Sequence, residues 1–256
     1  IRAALRVWVS TIGRRRGYEF DPKVELVTGV EECRRHLTRE PFGLVALDAF
    51  DYFQLGEQFQ LQPRFWGSLS ERGEFGRFLL LVRRDSGVAT VEELRGRRLH
   101  VCTESRCRLG LAWLDGQLVG SGAGPAAQFF SVTDIVDKAS AALLPLFFGK
   151  TDAVVVNEAH FLTAKEMNPQ LGVRLKPLVS SGELFEQVLC FNPRGLEYPE
   201  VVDESVRSLH QEPEGSQLLM VMRYKRFAPM TKPMLERTRE LWRRHKAMPA
   251  GAGKSA

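Results

Sequence analysis

Residues 103–108, Thr-Glu-Ser-Arg-Cys-Arg, put hydroxyls and guanidiniums within a few positions of one another. Before them runs a short β stretch around Leu99 and Val101. After them comes an apolar repeat, Leu109, Ala112 and Trp113, at helical spacing. Ser105 therefore falls where a helix begins, and a serine hydroxyl there accepts a bond from an otherwise orphan first-turn amide. The remaining free amides and the positive end of the helix dipole make such a turn an anion cradle. Arg106 and Arg108 lie in that first turn, where a cation is unfavourable unless an anion is near. Two readings follow, and local sequence favours the first, because caps far outnumber ligand sites. Ser105 caps a helix with its arginines in water, or the whole turn binds an oxyanion.

The elements that would position this turn alternate between strand and helix. Leu5, Trp8, Val9 and Ile12 repeat as an amphipathic helix. Val24 and Leu26 read as a strand, and Thr28-x-x-Glu31 as a capping box opening a helix through Leu37. Phe42 to Leu47 is an apolar strand with Asp48 at its end, followed by a helix over 49–59. Arg77 to Arg84 is a long β run, and Thr90-x-x-Glu93 opens a short helix closed by Gly96. Further strands are expected over 128–132, 151–156, 173–179 and 187–191, and helices over 134–148 and 158–167. From Pro199 onward the pattern is helical, and 249–256 read as a disordered tail. The strands are apolar runs, which predicts mostly parallel sheets covered on both faces. Ligands in such folds bind beyond the carboxyl ends of strands, so Asp48, Arg84, Thr103 to Ser105, Thr133 and Asn157 become the positions of interest.

With 256 residues, 44% of them hydrophobic, the chain supports one large domain or two lobes. A net charge of +5 permits anionic partners without selecting one. The arginines are scattered and lack the aromatic interleaving of a nucleic-acid module. Cys33, Cys102, Cys107 and Cys190 form no CxxC pair and have no histidine cluster beside them, which argues against zinc, and buried free thiols are expected. No cofactor and no metal are expected. Gly149-Lys150-Thr151 lacks the earlier glycine of a P-loop, because position 144 is leucine. Gly120, Gly122 and Gly124 make a turn rather than a dinucleotide loop. No nucleophile elbow surrounds Ser105, and the five histidines are dispersed, so no catalytic residue is assigned. No apolar run is long enough to span a membrane.

Three stretches, in order, resemble one family. FGLVALDAFDYFQL (42–55) resembles a strand followed by a helix bearing a ligand-facing tyrosine. FLLLVRRDSGVATVEELRGRRLHV (78–101) resembles a lobe-crossing strand and its sequel. KASAALLPLFFGKTDAVVVNE (138–158) resembles a helix, a Gly-x-x-Asp turn and a strand. The family is that of periplasmic phosphate, phosphite and phosphonate-binding proteins, the solute-binding subunits of ABC importers. The resemblance implies a type II periplasmic-binding-protein-like α/β fold of two lobes, each a mostly parallel sheet flanked by helices, with two crossing strands near Leu81–Asp85 and Val188–Asn192. Lobe one would be 1–84 plus 192–256, and lobe two 85–191.

By the same resemblance, Ser105 matches a serine that donates to a phosphoryl group, and Arg106 and Cys107 occupy the next two polar places. Tyr52 matches the helix tyrosine and Asp152 the Gly-x-x-Asp acid. The family's ligand-binding histidine falls near Ala139, flanked by Lys138 and Ser140. The expected ligand set is therefore Ser105, Arg106, Cys107, Lys138, Ser140, Asp152 and Asn157, with Tyr52 and Asp48. The implied function is capture of a small anionic or zwitterionic solute outside the cytoplasm, without catalysis, by a monomer that presents it to an ABC transporter permease. Alternatives are the sensing domain of a signalling receptor and, on the same fold, a small-molecule enzyme. The chain opens inside a helix, so a first strand and any signal or anchor segment are expected upstream.

Overall fold

A computed structural model describes residues 2–15, 17, 22–69, 76–103 and 109–248. In chain order the elements are α1 (Arg2–Arg15), α2 (Val30–Arg39), β1 (Leu44–Asp48), α3 (Ala49–Leu55), β2 (Gln62–Ser68), β3 (Phe78–Arg83) and β4 (Arg98–Cys102). Then follow α4 (Leu109–Gly120), α5 (Ala126–Phe129), β5 (Val132–Val136), α6 (Ala139–Phe147), β6 (Ala153–Asn157), α7 (Glu158–Met167), α8 (Gln170–Arg174) and β7 (Leu175–Ser180). The chain ends with β8 (Gln187–Phe191), α9 (Pro199–Ser208), α10 (Pro213–Met222), β9 (Arg226–Pro229) and α11 (Lys232–Ala247).

These elements form two compact units. The first comprises Ile1–Phe75 and Gln187–Thr231, the second Gly76–Glu186 and Lys232–Ala256. Compared with the expected division, residues 76–84 and 232–256 fall in the second unit, and 187–191 in the first. The reason for the C-terminal difference is packing. Met234 and Thr238 are buried on α11, and Leu241 lies over α4 opposite Gly116.

The first unit is built on a four-stranded sheet of order β1-β8-β2-β9, and every neighbouring pair is antiparallel. One face packs Phe65, Leu189, Phe191 and Phe227 against Trp8 of α1, Val206 of α9, and Leu218 and Leu219 of α10. Gly43 and Gly195 meet backbone to backbone behind β1. A Cβ on Gly195 would stand 2.0 Å from the Pro41 carbonyl oxygen, so only glycine fits.

The second unit holds a five-stranded sheet of order β5-β4-β6-β3-β7. Strand β4 runs parallel to both β5 and β6, whereas β3 runs antiparallel to β6 and β7. On one face Leu79, Leu81, Val154 and Val156 pack under α6, α7 and α8, through Leu143, Leu146, Phe161 and Leu171. On the other face α4 approaches so closely that a Cβ on Gly110 would meet the Phe78 ring at 2.7 Å. Helix α4 is apolar nearly all round, as a helix buried on most sides must be. Pro177, which has no N–H to give, lies on the edge strand β7 at a register shift against β3.

The α/β class stands, but the strand sense corrects the expectation of mostly parallel sheets. Continuous apolar runs such as β3 and β6 report burial on both faces. Antiparallel strands covered on both sides carry the same signature. Other local expectations also shift. Residues 22–28 form no strand, and Gly29, with φ of +84°, rather than Thr28, opens α2. Thr28 N–H instead donates to Glu32, one residue beyond the expected Glu31. Helix α3 stops at Leu55. Residues 126–129 are helical, and the stretch expected as one helix over 134–148 splits into β5 and α6. The Thr90-x-x-Glu93 reading holds in part: Glu93 accepts the N–H groups of Ala89 and Thr90, and Gly96 follows at φ +74°, but the helix is a single 3-10 turn, Glu92–Leu94, with Val91 rather than Thr90 at its start and no side-chain cap. Ser105, Arg106, Cys107 and the tail 249–256 lie outside the described residues.

Candidate functional site

Three parallel neighbours of the second unit, in the order β5-β4-β6, bring their carboxyl ends to one edge of the sheet. Cys102 pairs with Val136, and Thr103 continues the ladder by donating its N–H to the Val136 carbonyl at 2.8 Å. That edge thus carries Thr103, the last described residue before Ser105. It also carries Lys138, beginning α6, and Asn157, beginning α7. Both helices start there with their amide ends, and a helix start contributes about 0.3–1 kcal/mol toward a nearby anion, ~2 when partly buried. Micromolar affinity needs roughly 8 kcal/mol, so several donors must converge.

Lys138 stands at the N-cap of α6 in extended conformation, and its side chain makes no cap bond. It is exposed, as is Ser140 in the first turn. Asn157 is buried and makes two hydrogen bonds. Its Oδ1 accepts Ala159 N–H at 2.9 Å, capping α7, and its Nδ2 donates to Glu186 Oε1 at 2.8 Å.

Asp152 is elsewhere. It precedes β6 and holds the start of β4: Arg98 N–H donates to its Oδ2 at 2.9 Å, and the Arg98 and Arg97 guanidiniums approach at 3.5 and 3.9 Å. Five residues at the usual strand rise separate it from Asn157, about 16 Å along the sheet. The structure therefore gathers Lys138, Ser140 and Asn157 at one edge and sets Asp152 at the opposite one. Thr133 lies mid-strand on β5, opposite Leu99, rather than just past a strand end.

In the first unit Asp48 ends β1 and caps α3, its Oδ1 accepting Asp51 N–H at 2.9 Å. Tyr52, one residue on, is only 7% exposed. Its ring lies 5.3 Å from that of Phe53, and Gly56 packs against it closely enough that a Cβ there would stand 2.8 Å away. Burial pushes the Asp51 carboxyl up to about 6, helped by the charge of Asp48 and by a hydrogen bond with it. Cys33 is raised to about 11, first by burial and then by Asp51. The sequence reading missed Asp51 and Glu186. The Asp48-x-x-Asp51 spacing, cap to third helical position, was a usable signal for the former. Nothing in the sequence links Glu186 to Asn157.

Among the described residues no group of three or more His, Cys, Asp or Glu side chains is placed to hold a metal, and no helix is long and apolar enough to cross a membrane. Gly149 turns at φ +72° and a strand follows it, unlike a phosphate-binding P-loop.

The family model described as ABC transporter, phosphonate, periplasmic substrate-binding protein matches residues 1–235. A search of curated protein sequences finds no match. Among solved structures, XAC2383 from Xanthomonas citri, bound to ATP, superposes with a TM-score of 0.68 at 15% identity, over 96% of this chain and 92% of that one. PhnD1 from Prochlorococcus marinus, in complex with methylphosphonate, gives 0.63 at 14% identity, over 97% and 95%. A binding protein component of an ABC phosphonate transporter from Pseudomonas aeruginosa gives 0.61 at 12%, over 96% and 82%. These likenesses show the type II periplasmic-binding-protein fold. The family match extends over most of the chain, and the chain belongs to the periplasmic substrate-binding proteins of ABC phosphonate transporters, components that bind a solute and catalyse no reaction.

Proposed function

We propose that this protein captures a small phosphonate- or phosphate-like solute, anionic or zwitterionic, by drawing its two units together around it. It then hands the solute, as a monomer outside the cytoplasm, to an ABC permease. The observation that carries this reading is the family match over residues 1–235. The shared strand edge supports it, because two helix starts and Lys138 lie at that edge, and helix starts favour a negative group.

In this reading Ser105, Arg106 and Cys107 supply the turn that meets the oxyanion. Lys138 contributes charge and Ser140 a hydroxyl. Asp48 and Tyr52 are the contributors from the first unit, Asp48 facing a cationic group where the solute carries one. Asp152 and Asn157 act through the backbone they hold rather than through the solute.

A thermal-shift and calorimetric screen tests this, with inorganic phosphate, phosphite, methylphosphonate, 2-aminoethylphosphonate and alkyl sulfonates. A true solute at about 100 times its dissociation constant adds ~2.7 kcal/mol of stability. Silence across the whole set, with Arg106→Ala indistinguishable from wild type, overturns the reading.

A further inference from the structure

The chain passes from one unit to the other after Phe75, after Glu186 and after Thr231. On the second unit one short segment, residues 181–186, bonds to the chain just past the first passage, ends at the second and packs against α11, which follows the third. Gly76, just past the first passage, pairs with Leu184, whose N–H donates to the Gly76 carbonyl at 2.8 Å. A Cβ on Gly76 would stand 2.9 Å from the Leu184 oxygen, so the approach requires glycine. The strand that follows is tied twice more. Phe78 N–H donates to Ser181 Oγ, and Ser181 N–H returns to the Phe78 carbonyl, both at 2.8 Å.

The second passage begins at Glu186 itself, which receives the Asn157 amide. The third leads into α11. There Thr238 Oγ1 accepts Phe185 N–H at 3.4 Å, and Arg237 lies along Gly182 and reaches Glu183 at 3.6 Å. Glu183 is also approached by Arg77 at 3.8 Å. Ser181, Leu184, Phe185, Thr238 and Asn157 are all buried.

We infer that residues 181–186 form the fixed anchor of the hinge, and that the Asn157–Glu186 hydrogen bond holds the start of the second connection to the second unit. Asn157 is thus a positioning residue for solute capture and makes no contact with the solute. The chemistry suits the task. An amide donating to a carboxylate is a charge-assisted bond, stronger than a neutral pair. Hinges act by concentrating rotation in a few residues next to a fixed element, and the bonds to 181–186 supply such an element. This inference rests on the proposal that the two units move together around a solute.

The test is made without any solute, so it stands apart from that reading's ligand assignment. Spin labels at E57C in the first unit and M167C in the second, both exposed positions, report the distribution of distances across the chain by pulsed electron resonance. Such a bond predicts that Asn157→Asp, which sets carboxylate against carboxylate, broadens that distribution about twofold. Glu186→Gln, which keeps an acceptor oxygen, leaves it near wild type. Glu186→Ala serves as a second disruption should Asn157→Asp not fold. The inference is overturned if the disrupting variants fold, speed amide exchange in 181–186 and leave the distance distribution unchanged. That result would make the bond a local structural feature only.

Discussion

Asp48 Oδ1 accepts the backbone N–H of Asp51 at 2.9 Å, and this single cap sets two carboxylates side by side at the end of β1. One consequence is electrostatic. Asp51, half-buried and facing the charge of its neighbour, holds its proton up to about pH 6.

A pH dependence follows, with a definite sign. Asp51 rises from an ordinary 3.8 to about 6, and buried Asp115 does the same, burial being the main cause in both. Between those values the folded chain binds protons that the unfolded chain has released, so stability falls as pH rises from about 4 to about 6 and levels off above. Each group contributes about 1–2 kcal/mol, after allowance for solvent screening at Asp51. Asp115→Asn keeps the acceptor for Ala126 N–H, bonded at 2.7 Å, and removes the buried charge. That variant should raise stability at pH 7 and flatten the pH 4–6 slope in urea titrations.

Two glycines of α4 should respond oppositely to alanine. At Gly116 the added Cβ meets only Leu241, at an ordinary 3.7 Å, so Gly116→Ala should stabilise by about 0.5–1 kcal/mol through helix propensity. At Gly110 the same methyl collides with the Phe78 ring and Val155, and Gly110→Ala should cost about 1–3 kcal/mol. Thermal melts of the two variants decide the matter.

Asp152 is expected to matter for stability. Asp152→Ala removes the acceptor for Arg98 N–H and should cost about 1–3 kcal/mol, because a backbone donor loses its partner. Asp152→Asn, which retains a carbonyl oxygen, should recover most of the loss. Equal loss of solute affinity in both variants, with stability untouched, would assign Asp152 to the solute instead.

Lys138 is exposed at the start of α6, so its removal should leave the fold intact. Lys138→Ala should weaken methylphosphonate binding about tenfold, the equivalent of ~1.4 kcal/mol, and reduce its salt dependence. An unchanged calorimetric titration would remove Lys138 from the site.

Much of the fold was legible because its signals are local. The Glu93 turn with Gly96, and the apolar runs of β3 and β6, each depend on neighbours a few residues away. Boundaries failed where one apolar stretch could serve two structures, as over 134–148, where β5 gives way to α6. The site was legible only in part. Asn157 was found as a residue at a strand end and Lys138 through the family resemblance, but their common edge depends on the order β5-β4-β6, a property of pairing across long separations.

By itself, then, the sequence determined which residues cap, turn and bury, and it carried enough of the pattern of one family to identify it. Tertiary structure alone decided strand sense, the place of α11 on α4, the separation of Asp152 from the other candidates and the partnership of Asn157 with Glu186. The physical reason is range. Propensity and periodicity act through adjacent turns of chain, whereas sheet order and side-chain bonds join residues tens of positions apart, and those are chosen by the packing of the whole unit.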